Sequence, residues 1–186
     1  VNPIPGRIIE LDRFTGGIRS SYHKDIELFR KSGSLILGAD YEVQNDGRQE
    51  YVNNGLEEVN VAPENIFDSL NYGEQLIDQK EYVSGFGPFA QARLQLSNRL
   101  RVQSGVRYDN YHFRVDDRWL SDNTDNSGKI RMNQISPMFG INYLAYPNLS
   151  LYGNISTAFQ TPTTTELSNR PDGEGGFNQA LEPEHV

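Results

Sequence analysis

Few residues of this chain are placed for covalent or metal chemistry. The three histidines, His23, His112 and His185, stand far apart, and none shares a metal-ligand spacing with another. Cysteine is absent, which excludes disulfides and thiolate chemistry. No G-x-S-x-G nucleophile motif occurs. The run "GFGPFA" (Gly85 to Ala90) has the glycines of a dinucleotide loop. Pro88 and the strand-like residues after it leave no helix N-terminus to hold a phosphate. "DNTDNSG" (Asp122 to Gly128) has the composition of a calcium loop but lacks the alternate-position acids of an EF-hand, and it reads as a turn. Catalysis is thus poorly served, and no metal or cofactor is expected.

The totals narrow the class. Hydrophobic residues make up 36%, charged residues 23%, and the mean hydropathy is -0.64. No run approaches the ~18–20 apolar residues of a spanning helix. A membrane β-barrel stays open, because its strands hide the lipid face in every second residue. The formal charge is -8. From Gln44 to Glu81 nine acids (Asp46, Glu50, Glu57, Glu58, Glu64, Asp68, Glu74, Asp78, Glu81) face only Arg48 and Lys80, a net of -7. That stretch reads as a solvated acidic loop, and the sign argues against nucleic acid as a partner. The start, "VNPIPGRIIELDRF", has neither a basic n-region nor an apolar h-region. A removed signal or a piece of a longer chain would account for it.

Residues taken two apart reveal the elements that must position everything else. In Arg13–Tyr22, one face holds Phe14, Gly16, Ile18, Ser20 and Tyr22, against Arg13, Thr15, Gly17 and Arg19. In Ser34–Val43, Leu35, Leu37, Ala39, Tyr41 and Val43 oppose Asp40 and Glu42. In Phe89–Ser97, Ala90, Ala92, Leu94 and Leu96 oppose Gln91, Arg93 and Gln95. Next, Leu100, Val102, Ser104, Val106 and Tyr108 oppose Arg101, Gln103, Gly105, Arg107 and Asp109. A fifth strand aligns Ile135, Pro137, Phe139, Ile141, Tyr143 and Ala145; a sixth aligns Leu149, Leu151, Gly153, Ile155, Thr157 and Phe159. None of the six apolar faces carries a charge.

The connections alternate too. "SNR" joins the third and fourth strands and "AYPN" the fifth and sixth, while a turn near "RKSG" is expected between the first two. Long connections follow the second, fourth and sixth strands. The pattern predicts an all-β, antiparallel up-and-down meander of about six long strands with its large loops on one side, as transmembrane barrels have. Outward aromatics at strand ends (Phe14, Tyr22, Tyr41, Tyr108, Tyr143, Phe159) would form interfacial girdles. A soluble sandwich alternates in the same way, so periodicity alone leaves lipid or a second sheet as the cover. A secreted soluble domain binding glycan or protein, and an outer-membrane hydrolase, remain as alternative readings. Pro137 would remove a ladder bond unless an edge or bulge accommodates it.

The closing stretch, "LSLYGNISTAFQTPTTTELSNRPDGEGGFNQALEPE", closely resembles a late-barrel signature of the TonB-dependent outer-membrane receptors. The matching residues are Tyr152, Phe159, Pro162, Glu166, Leu167, Gly175, Gly176, Asn178, Leu181, Pro183 and Glu184. "GPFAQARLQLSNRLRVQSGVRYDNY", "ISPMFGINYLAYPNLSLY" and "NIFDSLNYG" resemble other stretches of the same family, in order along nearly the whole chain. Phe89 stands where tyrosine is commoner and Met138 where a basic residue is usual.

The resemblance implies a segment of a plugged, 22-stranded type of barrel. Residues 1–160 would form barrel wall with long extracellular loops near 44–81 and 112–132. Residues 161–186 would be an exposed extracellular loop and the start of the next strand, with the plug domain absent. It also implies a bacterial outer-membrane receptor, not an enzyme, importing a metal chelate such as a ferric siderophore. The expected partners are outer-membrane lipid, a plug domain of the same full-length chain, the TonB complex and the chelate. Tyr51, Tyr72, Trp119, Gln160, Thr163, Asn169 and Arg170 are the candidate ligand or loop contacts. Arg13, Arg19, Arg93, Arg101 and Arg107, set against Asp40, Glu42 and Asp109, are expected to face the lumen and to meet carboxylates of a plug.

Overall fold

The computed structural model describes residues 6–54, 70–167, 177–178 and 180–185. Six strands form one antiparallel sheet in chain order: β1 (Gly6–Leu28), β2 (Lys31–Asn53), β3 (Tyr72–Gln95), β4 (Leu100–Asp117), β5 (Gly128–Tyr146) and β6 (Leu149–Ser156). A short strand β7 (Phe159–Gln160), a single helical turn α1 (Thr164–Leu167) and β8 (Glu184–His185) follow, with β7 and β8 paired antiparallel. The expected meander is present.

The strands outrun the alternation that announces them. β1, β2 and β3 have 23, 23 and 24 residues, about twice the ~9–11 that a tilted barrel strand needs to cross a bilayer. Of the expected loop over 44–81, residues 44–53 belong to β2 and 72–81 to β3. The connection after β4 shortens in the same way, since β5 begins at Gly128. The extra strand stands above the apolar band.

Cross-strand partners point to the same side of a sheet, so register carries each face across the strands. One row runs Tyr22, Leu37, Ala90, Val106, Pro137; another runs Gly33, Leu94, Val102, Ile141, Gly153. Ile18, Phe139 and Ile155 keep 69%, 47% and 72% of their surface exposed. So large an uncovered apolar face has no second sheet over it among the described residues, and it requires a non-aqueous cover. Aromatics bound it: Phe14, Tyr41, Phe86 and Tyr108 on the long-loop side, Tyr22, Tyr143 and Tyr146 on the other.

Three local features need explanation. The β1–β2 turn falls at Phe29–Arg30, between the Leu28–Lys31 pair, one residue before the "RKSG" site. Both turn residues take positive φ, 51° and 60°, as a two-residue hairpin of matching twist demands. Pairing register outranks residue preference there. Pro137 accepts a hydrogen bond from Thr157 N–H (3.2 Å) on its β6 side, just past the last β5–β6 pair, Met138–Ser156. Its missing N–H points the same way, to the end of the ladder, where little is lost. At Pro88 the β3–β4 ladder skips from Phe86–Asn110 to Phe89–Arg107 without changing register.

Candidate functional site: the inner wall and its docked strap

The face opposite the apolar band carries a network of ion pairs. Arg13 on β1 grips Asp46 on β2 through Nε (3.0 Å) and Nη2 (2.7 Å), and Gln44 Nε2 donates to the same carboxylate at 2.8 Å. Above it, Glu50 accepts from Arg7 (3.2 Å) and from Arg48. Arg48 also lies 3.9 Å from Glu81, which accepts from Gln79 Nε2 at 2.6 Å. Lower down, Asp40 binds both Arg19 and Arg107 at 2.7 Å, and Arg107 Nε donates to Asp109 at 2.7 Å.

Asp46, Glu50 and Glu81 are only 0%, 2% and 2% exposed. The acidic run is therefore no solvated loop where it is described: these three acids are buried rungs of the inner wall. A buried carboxylate is tolerated because it is paired; removing its arginine strands a charge at a cost of about 3–5 kcal/mol.

Two of these links must cross a strand. Arg107 starts on β4 and ends at Asp40 on β2, passing over Gly87 of β3, where a Cβ would lie 2.1 Å from its Nη2. Tyr111 on β4 likewise donates its hydroxyl to Glu42 on β2 (2.7 Å) across Gly85, where a Cβ would lie 2.6 Å from the ring. The glycines of "GFGPFA" are gaps that let side chains lie flat on the wall.

The upper part of the same face turns apolar, and the closing segment docks there. Leu167, 0% exposed, and Phe177, 8% exposed, pack with Phe113 and Val115 of β4 and Met132 of β5. Phe159, Leu181, Val83, Tyr111 and Ile130 border the cluster. The "PTTTEL" sequence builds the approach. Thr163 caps α1, its Oγ1 accepting from Glu166 N–H (3.3 Å), while Glu166 Oε2 accepts from Thr163 N–H (2.7 Å). This reciprocal capping box aims Leu167 inward. Asn178 N–H then donates to Leu167 O (2.6 Å), and Asn178 Oδ1 accepts from Ala180 N–H (3.0 Å). Gly128 leaves room for Phe177, whose ring a Cβ there would meet at 2.4 Å. The expectation of an exposed loop over 161–186 is thus corrected for the described residues: single apolar residues pin this strap to the wall. Phe159, expected on the outward face, also turns inward, its ring 6.2 Å from Tyr111. β6 ends at Ser156, and the break at Thr157–Ala158 resets the alternation.

Residues 5–186 match the family model described as TonB dependent receptor-like, beta-barrel. The chain belongs to the TonB-dependent receptor family. Barrels of this family reside in the bacterial outer membrane. The unliganded ferric citrate transporter FecA shares the fold, with a TM-score of 0.66 at 12% sequence identity over 82% of this chain. The match covers 21% of FecA, so this receptor segment spans about a fifth of that protein's length.

In the receptor segment the candidate residues separate into groups. Arg13, Arg19 and Arg107 lie on the face opposite the apolar band and hold carboxylates of the wall itself. Arg93 and Arg101 share that face; Arg101 donates to Gln95 (3.0 Å), and neither has an acid partner among the described residues. Both border a concavity of about 330 Å³ with Gln103, Asn142 and Tyr152. Tyr51 and Tyr72 meet edge to face at 5.1 Å, and Tyr72 donates to Glu10 (2.5 Å). Register places this pair on the outward side of the strand extensions. Trp119 follows β4, its N–H donating to Asp117 Oδ1 at 3.0 Å. Gln160 and Thr163 belong to the strap; Asn169 and Arg170 lie outside the described residues.

Of the family-motif residues, Gly175 and Gly176 lie outside the described residues. Phe159, Glu166, Leu167 and Asn178 fasten the strap, Pro162 precedes the cap, Pro183 leads into β8, and Glu184 pairs with Gln160. In "DNTDNSG", Asp122 Oδ1 accepts from Thr124 N–H (3.0 Å) and Asp125 Oδ1 from Ser127 N–H (2.9 Å), as turn acids do.

Two outcomes are expected. Leu167→Ala should weaken docking of the strap by about 2–5 kcal/mol, read as lost exchange protection at the Asn178 amide while the β4–β5 amides stay protected. The Thr163 amide, then its hydroxyl, holds the Glu166 carboxyl below the ordinary glutamate range. A depressed pKa stabilises docking above that range and loses the contribution as pH falls through the folded value. Exchange protection at the Thr163 amide should therefore be constant near neutrality and fall in acid, and Glu166→Gln should flatten that dependence.

Proposed function

We propose that this segment is part of the wall of an outer-membrane receptor that binds a metal chelate, a ferric siderophore or ferric carboxylate, and imports it with energy from the TonB complex. The observation that carries the reading is the division of one sheet between two solvents. Its outer face is apolar and uncharged through the band, and its inner face is an ion-paired polar wall narrowed at the long-loop end by a docked strap. FecA, which shares the fold, is named as a ferric citrate transporter. That supports a ferric chelate as the cargo class.

In this reading a plug domain of the full-length chain fills the lumen. Arg93 and Arg101 are its expected wall contacts, since Arg13, Arg19 and Arg107 already hold acids. Gln160 and Thr163, on the strap beneath the outer opening, are better placed for cargo than Tyr51 and Tyr72 on the outward side. The test is uptake of radiolabelled iron by cells whose only ferric-chelate receptor is the full-length protein. Uptake of iron presented as ferric citrate or as a ferric siderophore, abolished when TonB is deleted, is expected. Absence of uptake from either chelate, or uptake indifferent to TonB, would contradict the assignment.

A further inference from the structure

Level with the Val106–Pro137 row of the outer face, the inner wall changes character. Two inner rows cross it there, Gly38–Phe89–Arg107–Ser136 and Ile36–Gln91–Gly105–Met138. The ring of Phe89 on β3 lies over Gly38 of β2, where a Cβ would come within 2.5 Å of it. Met138 on β5 leans over Gly105 of β4, where a Cβ would lie 3.1 Å from its Cγ. Both side chains are half-buried, and between them runs a concavity of about 400 Å³, bordered also by Gln91, Arg107 and Ser136. Phe89 and Met138 are the two positions at which the sequence departs from the family stretches it resembles, and each departure exchanges a polar end for an apolar one.

Single apolar side chains that face water are ordinary; a pair flanking one hollow has the shape of a binding site. The strap does not fill it. Its core rests on Phe113, Val115 and Met132, and Met132 stands six positions above Met138, or roughly 20 Å along the strand. The charges at the rim are already satisfied: Arg19 and Arg107 hold Asp40, and Arg107 also holds Asp109. Further from the long-loop end the balance changes. Arg93 and, one row beyond it, Arg101 have no acid partner among the described residues. A neutral apolar hollow is thus followed by two open cations, roughly 7 and 13 Å away along the strands.

We propose that this hollow seats one apolar side chain of the plug domain of the full-length chain, and that the same plug segment carries an acidic side chain to Arg93 or Arg101. The inference rests on the reading that a plug fills the lumen; it adds the chemistry of the segment that meets this part of the wall. A resident occupant suits the hollow better than a passing one. Covering Phe89 and Met138 holds a partner through apolar area alone, which would delay a chelate midway through the lumen. An anionic chelate also finds no open cation at the rim, because Asp40 and Asp109 occupy Arg19 and Arg107. A segment with one apolar and one acidic side chain matches both parts of the surface, since a guanidinium takes a carboxylate in two parallel hydrogen bonds. The two contacts together set the height of the plug against the wall: a slip of one residue pair loses both.

The test uses the full-length receptor without chelate, with the photoreactive p-benzoylphenylalanine placed singly at Phe89, at Met138 or, as a lumen control, at Gln103. Cross-linked peptides are read by mass spectrometry after proteolysis. The labels at Phe89 and Met138 should join one short plug peptide at an apolar residue, with Asp or Glu within about four positions of it. In that peptide F89S/M138S should speed amide exchange about tenfold, and R93Q/R101Q should speed it too, while the β4–β5 amides stay protected. Should either double variant fail to fold, the cross-links alone decide. Three results would overturn the proposal and leave the plug in place: a plug cross-link from Gln103 but none from Phe89 or Met138, attachment with no acid nearby, or unaltered exchange in folded F89S/M138S. No plug peptide on any of the three labels would remove the plug reading and the proposal together.

Discussion

Each strand of this sheet has to satisfy two media at once, and nearly every other feature follows from that. A strand in hydrocarbon finds no water for its N–H and C=O groups, so the ladder must be continuous and its neighbours in register. Side chains alternate with a period of two, so a slip of one residue would turn every arginine into lipid and every leucine into the lumen. Register is therefore specified at each position from Phe14 to Tyr22 on β1 and from Leu100 to Tyr108 on β4. The interruptions fall where they cost least: Pro137 at the end of the β6 ladder, and the two-residue turn at Phe29–Arg30 clear of the band.

The inner wall follows from the same division. Charges excluded from one face crowd the other, where the buried carboxylates Asp46 and Glu50 are each held by an arginine. Arg107 illustrates how far the chain goes to achieve this: it spans β3 to reach Asp40, and Gly87 is the gap that permits it. Higher up the pattern reverses. Phe113, Val115 and Met132 face inward because Leu167 and Phe177 cover them. The strap is thus an integral part of the wall as well as a connection, and its capping box fixes the entry angle that brings Leu167 to the surface it seals.

What could be read from sequence tracks these two regimes. The lipid-facing rows of all six strands, the tight "SNR" and "AYPN" connections and the inward arginines were legible because one face was apolar while the other was polar. The upper halves of β1, β2 and β3 were not. Above the band neither face is consistently apolar, alternation vanishes, and Gln44–Asn53 looks like a loop although Asp46 and Glu50 are buried in a ladder. The strap escaped for a related reason. Its anchors Leu167, Phe177 and Leu181 are isolated apolar residues with no period, and their partners lie on another part of the chain. A signal existed nonetheless: Phe113, Val115, Ile130 and Met132 put a run of apolar residues on a face that lower down on β4 reads Arg101, Gln103, Gly105, Arg107 and Asp109, and T-x-x-E marked the capping box. The β1–β2 turn left no trace, because Phe-Arg lacks the residues that a positive-φ hairpin prefers.

The central claim is that lipid covers the uncharged face and water fills the space behind it. The absence of native cysteine makes single-cysteine labelling direct. Nitroxides placed singly at Ala90, Ser104 and Phe139, and at Gln91, Gln103 and Asn142, in the full-length receptor in bilayers would report collision with oxygen and with a water-soluble nickel chelate. The account predicts strict alternation, with the first three favouring oxygen and the second three favouring nickel. Outward labels hidden from both reagents, as under a second layer of protein, or open to nickel, would contradict it.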